Sequence, residues 1–212
     1  MGMEPRPVEI GALGLQGVPQ AARGLVVFAH GSGSGRLSPR NNTVAEALRG
    51  SALATLLLDL LTPEEERRRA NVFDIPLLAG RLSLASRWAA EQPETALLPI
   101  GYFGASTGAG AALAAAAHDT RVLAIVSRGG RPDLGGDALP RVRAPTLLIV
   151  GSLDAPVIEL NRVARQQLKA ESQIVIVPGA THLFEEPGAL DQVIDHAARW
   201  FLRHLARGGR QD

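Results

Sequence analysis

One serine, Ser106, stands between two glycines, Gly104 and Gly108, where the apolar run "LPIGYFG" gives way to the alanine-rich "TGAGAALAAAAH". Glycines two residues to either side remove the Cβ atoms that would collide if the chain turned sharply there, so the hydroxyl is offered at the tip of a strained strand-to-helix turn. A serine hydroxyl is a poor nucleophile until a base takes its proton and an acid orients that base. The chain supplies both after apolar runs: Asp154 in "LLIVGSLDAPV" and His182 in "IVIVPGATHLF". The chemistry these residues would do together is acyl transfer through a covalent ester on Ser106.

A tetrahedral intermediate also needs donors for its oxyanion. The N–H of Thr107, directly after the serine, is one candidate. The second comes from the loop "AHGSGSGRLSPRN", where Ser32 is favoured and Gly33 is the alternative. His30 is expected to pack and hydrogen-bond beneath that loop rather than transfer protons. Of the other histidines, His118 ends a helix and His196 and His204 lie on the last one, which suits structural or solvated roles. Asp133, in "RGGRPDLGG", is the reserve acid. Four arginines fall in loops beside the presumed site: Arg36, Arg40, Arg128 and Arg131. They are either solvated or a fork for a carboxylate or phosphate on the substrate.

These residues need a frame that brings loops after different strands together. Short apolar runs at 24–29, 54–60, 98–104, 121–127, 145–151 and 172–178 alternate with helix-like segments at 39–49, 71–91, 106–118, 156–170 and 188–206. That alternation predicts a mostly parallel α/β sheet, and runs apolar throughout predict strands covered by helices on both faces. In the last helix Val193, Ile194, Ala197, Trp200, Phe201 and Leu205 share one face. "VEIGALGLQGV" reads as a hairpin preceding the parallel part. "TPEEERRRAN", 62–71, reads as a solvated loop with local ion pairs or as a lid beside the site, and the terminal "RGGRQD" is expected to fray.

Composition bounds the rest. The 212 residues suit a single domain, 1–212, able to bury its own core. With 22 basic and 21 acidic side chains, bulk charge gives no reason to expect a nucleic-acid partner. Cysteine is absent, which excludes a thiol nucleophile, a thiolate metal site and disulfides, and permits a cytoplasmic location. Neither a signal peptide nor a membrane-length apolar run is read, and Arg6 argues against a lipid on Gly2. No cofactor or metal is called for. Both a monomer and a homodimer are compatible with the chain. Nucleotide-binding readings of "GSGSGR" fail on detail: Arg36 stands where the third glycine of G-x-G-x-x-G belongs, and no G-K-[ST] follows.

Taken together, these motifs resemble serine hydrolases of the α/β-hydrolase superfamily, in the branch similar to dienelactone hydrolase. "HGSGSGRLSPRN", "LATLLLDLLTPEEE", "RANVFDIPLLAGRL", "GASTGAGAAL", "SRGGRPDL" and "GATHLFEEPGAL" are similar to a bacterial group sometimes fused to a phosphoribosyltransferase domain. The resemblance spans nearly the whole chain. It implies an α/β-hydrolase fold without a cap domain, and Ser106, Asp154 and His182 as nucleophile, acid and base. Dienelactone hydrolase itself uses a cysteine, so its lactone substrate does not carry over, and no acidic pyrophosphate loop of a phosphoribosyltransferase is visible. The function expected is hydrolysis of a small, possibly anionic acyl substrate. The alternative is a non-catalytic ligand-binding protein on the same scaffold.

Overall fold

The computed structural model describes residues 4–10 and 13–205. The expected fraying of the terminal "RGGRQD" and the reading of Gly2 concern residues outside these. Eight strands follow in chain order: β1 (Arg6–Glu9), β2 (Leu13–Gly17), β3 (Leu25–Ala29), β4 (Ala54–Leu58), β5 (Ile100–Ala105), β6 (Val122–Arg128), β7 (Thr146–Gly151) and β8 (Ser172–Val177). They form one sheet in the order β1-β2-β4-β3-β5-β6-β7-β8. β1 and β2 are an antiparallel hairpin that joins β4 antiparallel, and every other pairing is parallel.

The helices are α1 (Pro39–Gly50), α2 (Pro63–Glu66), α3 (Arg69–Val72), α4 (Ile75–Glu91), α5 (Thr107–Ala116), α6 (Ala155–Gln167) and α7 (Ala189–Leu205). The apolar runs are explained by two cores, one on each face of the sheet. In β3, Leu25, Val27 and Ala29 enter the core shared with α4, α5 and α6. Val26 and Phe28, on the alternate face, enter the core shared with α1 and α7. The stripe expected on α7 is there, with Val193, Ala197, Trp200, Phe201 and Leu205 buried. Each large side chain so buried stabilises the fold by about 1.5–3 kcal/mol.

Four local expectations are corrected. The helix expected over 71–91 begins at Ile75, because the Asp74 carboxylate accepts the Leu77 N–H and Pro76 sits in the first turn. The charge cluster at 62–71 is two short helices rather than a loop. Thr62 and Glu65 close a capping box, with Glu65 also 2.8 Å from Arg81. A 3-10 segment, Pro132–Arg141, packs between α5 and α6 where no element was expected. Finally, β8 is an edge strand whose Gln173 and Ile176 are exposed, so double-sided cover does not extend to it.

Strand order reverses between the neighbours β3 and β5. In open parallel sheets the crevice outside the carboxyl ends at such a switch point is where ligands sit. Ser32 follows β3 and Ser106 follows β5, so the fold sets two of the expected site residues on that crevice. Among the described residues no helix is long and apolar enough to cross a membrane.

Candidate active site

Ser106 occupies the N-cap of α5 with φ 50° and ψ −124°, and its side chain caps nothing. A positive φ at a non-glycine residue costs about 1–3 kcal/mol and persists only where the surroundings hold it. Here the loop after β6 does so: the Ser106 N–H donates to the Arg128 carbonyl at 3.4 Å, and the Ser106 carbonyl accepts from the Arg131 N–H at 2.9 Å. The flanking glycines are needed as expected. A Cβ on Gly104 would lie 2.5 Å from the Ala109 Cα, and one on Gly108 only 2.1 Å from the Ala29 carbonyl oxygen. Gly31 makes a third close approach, since a Cβ there would lie 2.8 Å from the Ser106 Cβ. The loop after β3 therefore rests directly on the serine.

Asp154 and His182 are brought together. Asp154 is the N-cap residue of α6, but its side chain makes no cap hydrogen bond. Instead Oδ2 accepts from the His182 Nδ1 at 2.6 Å. The aspartate is nearly enclosed, its side chain 14% exposed, whereas the histidine side chain is 38% exposed. Two loops are locked to each other to achieve this. The Leu153 N–H donates to the Ala180 carbonyl at 3.0 Å, the Gly179 N–H donates to the Ser152 Oγ at 2.8 Å, and Gly151 permits the contact because a Cβ would lie 2.3 Å from the Ala180 carbonyl oxygen.

His182 and Ser106 each pack against the same loop. Gly129, at φ +50°, packs on His182, where a Cβ would lie 2.8 Å from its carbonyl oxygen and 3.6 Å from its Cε1. Arg128 and Arg131, on the same loop, hold the Ser106 peptide. The Ser106 Oγ itself makes no hydrogen bond among the described residues.

The remaining expected residues separate clearly. Thr107 opens α5, where first-turn N–H groups have no partner within the helix. Of the two candidates in the loop after β3, the Gly33 N–H donates to the Glu66 carboxylate at 2.9 Å, which leaves Ser32. His30 is buried: its Nε2 accepts the Leu60 N–H at 2.8 Å, and Nδ1 donates to the Gly31 carbonyl at 2.9 Å. That pairing suits a loop support. Asp133, the reserve acid, is held by Arg131 in a two-pronged contact at 2.9 and 2.7 Å, not by His182.

Among the arginines, Arg36 is paired with Asp59, whose other oxygen accepts the Arg36 N–H at 2.7 Å. Arg40 reaches Glu185 at 2.5 Å through Nη1. Arg131 is spent on Asp133, which raises its pKa further. Arg128 is only 8% exposed and has no acidic partner among the described residues. Burial, with a smaller contribution from the nearby Arg40 charge, lowers its guanidinium to about 10. The sequence reading missed three supports: Glu66 at Gly33, Glu185 at Arg40, and Asn161, whose buried Nδ2 donates to the Gly130 carbonyl at 3.0 Å. Only Glu66 carried a signal, its place in the charge cluster beside a presumed site loop.

The sheet order and this arrangement at its carboxyl edge define an α/β hydrolase. Similar folds belong to Est1E from Butyrivibrio proteoclasticus (15% identity, TM-score 0.77, covering 95% of this chain and 98% of that one) and to an alpha-beta serine hydrolase homologue from Coxiella burnetii (18%, TM-score 0.76, 94% and 97%). More specifically, the chain belongs to the dienelactone hydrolase family, whose family pattern matches residues 67–204. The crystal structure of a dienelactone hydrolase from Anabaena variabilis is 53% identical, with a TM-score of 0.91 over 96% of this chain and 100% of that one. Two Mycobacterium tuberculosis proteins that carry a phosphoribosyl transferase name are 63% identical over 193 residues. Those residues are 91% of this chain and 44% of theirs, so the chain spans less than half the length of these relatives.

Proposed function

We propose that this chain hydrolyses an ester or related acyl bond through an acyl-Ser106 intermediate. His182 Nε2 takes the Ser106 proton as Oγ attacks the acyl carbon, and the carbonyl oxygen becomes an oxyanion facing the N–H groups of Thr107 and Ser32. His182 then gives that proton to the leaving alcohol as the C–O bond breaks. A water, deprotonated by the same imidazole, repeats the addition and releases the acid, and Ser106 regains its proton. Asp154 holds the Nδ1–H tautomer and stabilises the imidazolium that forms in each half.

The observation that carries this reading is the 2.6 Å Asp154–His182 contact, made by an aspartate that forgoes capping its own helix, beside a serine held at positive φ. Family membership supports the reaction class. The test is covalent labelling by a fluorophosphonate probe, read by intact mass. The wild type is expected to gain one adduct, lost in Ser106→Ala and in His182→Ala. A folded wild type that takes no label would favour a non-catalytic binding protein on this scaffold.

A further inference from the structure

The buried face of α6 carries one side chain that packing alone does not call for. Val157, Asn161 and Ala164 recur along it at helical spacing, and Asn161 is fully enclosed, 0% exposed. An amide within an apolar stripe is unfavourable unless hydrogen bonds offset its desolvation. Its Nδ2 donates to the Val157 carbonyl at 2.8 Å, inside the same helix, and to the Gly130 carbonyl at 3.0 Å. Both partners are acceptors, so they use the two protons of the NH2 group, which neither a carboxylate nor an apolar side chain could supply. Oδ1 is buried with no hydrogen-bond partner among the described residues. The fold thus tolerates an orphaned oxygen to keep a donor on Gly130.

That donor reaches further than one residue. The Gly130 carbonyl and the Arg131 N–H belong to one planar trans peptide unit and point in opposite directions. The N–H end donates to the Ser106 carbonyl at 2.9 Å. That carbonyl in turn shares its peptide unit with the Thr107 N–H, the oxyanion donor of the reaction proposed above. A hydrogen-bonded chain therefore runs from Asn161 through two peptide planes to the Thr107 N–H. Neither plane can rotate without straining a bond at one end, and each bond polarises the next. The Ser106 carbonyl also accepts the Ala109 N–H at 3.1 Å, which ties that plane to α5. Gly130 is closely confined as well: a Cβ there would lie 1.9 Å from the Ser127 Oγ and 2.5 Å from the Ala109 Cβ.

We infer that Asn161 is a positioning residue for the oxyanion hole, fixing and polarising the Thr107 N–H through the Gly130–Arg131 and Ser106–Thr107 peptide units. This rests on the acyl-serine reading proposed above. Being fully buried, Asn161 acts without touching substrate. It lies about two turns after Asp154 on the same helix. One helix thus orients the imidazole from its N-cap and the oxyanion donor from its middle.

The test uses Asn161→Leu, which keeps the branching and loses the donors, and Asn161→Ala in case leucine does not fit. Amide proton resonances of Arg131 and Thr107 should shift from their wild-type positions, while that of Ala112, further along α5, should not. An unmoved Thr107 would overturn the inference. A second readout needs no variant. A trifluoromethyl ketone forms a tetrahedral oxyanion when the Ser106 Oγ adds to its carbonyl carbon and His182 takes the serine proton. In the wild type this adduct should shift the side-chain amide protons of Asn161 but not those of Asn71, which donate to the Glu65 carbonyl. An Asn161 signal that ignores the adduct would also overturn it.

Kinetics with 4-nitrophenyl acetate, expressed per site counted by exhaustive fluorophosphonate labelling, separate positioning from folding. Removing the donor should lower kcat about tenfold or more, short of the roughly 100–1,000-fold for deleting an oxyanion donor outright. KM should stay within about threefold, and affinity for the ketone should fall in step with kcat/KM. A purely structural role would reduce the number of sites or the thermal midpoint and leave the rate per site unchanged, and that result would refute the assignment. If the wild type takes neither label nor ketone, the acyl-serine reading fails and the oxyanion role goes with it. A protein that labels normally while Thr107 ignores Asn161 fails the inference alone.

Discussion

Replacing Gly108 by alanine is the sharpest perturbation of the site that leaves every polar group in place. Gly108 lies in the first turn of α5, two residues beyond Ser106, and its α-carbon faces the end of β3. The new Cβ would lie 2.1 Å from the Ala29 carbonyl oxygen and 2.5 Å from that of His30, against the 3.0 Å that real Cβ contacts essentially never undercut. Both obstacles are backbone, so the helix start must retreat by about 1 Å from the strand. Overpacking of this kind costs about 3 kcal/mol. For a domain of this size that lowers the thermal midpoint by roughly 6–12 °C, at 2–4 °C for each kcal/mol. The same retreat pulls Ser106 and the Thr107 N–H away from the loop carrying Ser32, and a displacement of about 1 Å in a reacting constellation costs on the order of 100-fold in rate.

The assay is calorimetry together with the rate of fluorophosphonate labelling. Gly80→Ala is the internal control. Gly80 is an exposed residue in the middle of α4 with open space where its Cβ would point. There alanine should stabilise by about 0.5–1 kcal/mol, or roughly 1–4 °C. The same chemical change thus has opposite signs at two helical glycines. A Gly108→Ala protein that melts within 2 °C of wild type and labels at the wild-type rate, or a Gly80→Ala protein that loses as much as Gly108→Ala, would refute the close-approach reasoning (roughly the scale of a 1 kcal/mol effect).

Two further outcomes are expected. Asp154→Asn should keep its contact with His182 but impose the wrong tautomer, lowering kcat about 10⁴-fold with much less change in KM; steady-state kinetics that show a change below tenfold would remove Asp154 from the proposed role. Tyr102, the only tyrosine, is fully buried with its hydroxyl 2.7 Å from Ser86, and burial raises its pKa to about 12. The unfolded chain loses that proton near pH 10, so the folded state holds more protons between pH 10 and 12, and stability falls through that window by about 3 kcal/mol from this group. Arg128, whose pKa is lowered, acts with the opposite sign there. Urea unfolding at pH 9 and pH 11.5 should therefore show a smaller alkaline loss in Tyr102→Phe than in wild type, and an equal loss would contradict the assignment.

Most of the frame was legible in the sequence, and so was the proximity of Asp154 and His182, because both are written in local patterns. Six apolar runs marked the parallel strands, and the glycines at 104 and 108 marked the turn that carries Ser106. Position after a strand placed Asp154 and His182 at one sheet edge, where the structure puts them in contact. What was not legible depends on partners distant in the chain. Nothing near Arg36 or Arg128 indicates that the first meets Asp59 while the second meets no acid among the described residues. That the Gly33 N–H is taken up depends on Glu66, thirty-three residues away. Asp133 and Asp154 look alike as loop acids, and only the reach of Arg131 separates them. The break before Ile75 was written locally, in Asp74 and Pro76, but periodicity on both sides masked it.

One element gives the molecule a division between fixed and adjustable parts. Nine of the ten residues of α5 are buried, nearly all of them alanine or glycine, with sheet, α4 and the Pro132–Arg141 segment packed around them. A helix enclosed on every side has no surface on which to accept a larger side chain and no room in which to swing. The serine at its start is accordingly mounted on an enclosed helix, while His182, Ser32, Arg36 and Arg131 stand in surrounding loops. New substrates would be acquired by remodelling those loops around the proposed nucleophile, which stays still, and the small residues of α5 should be the last to diversify.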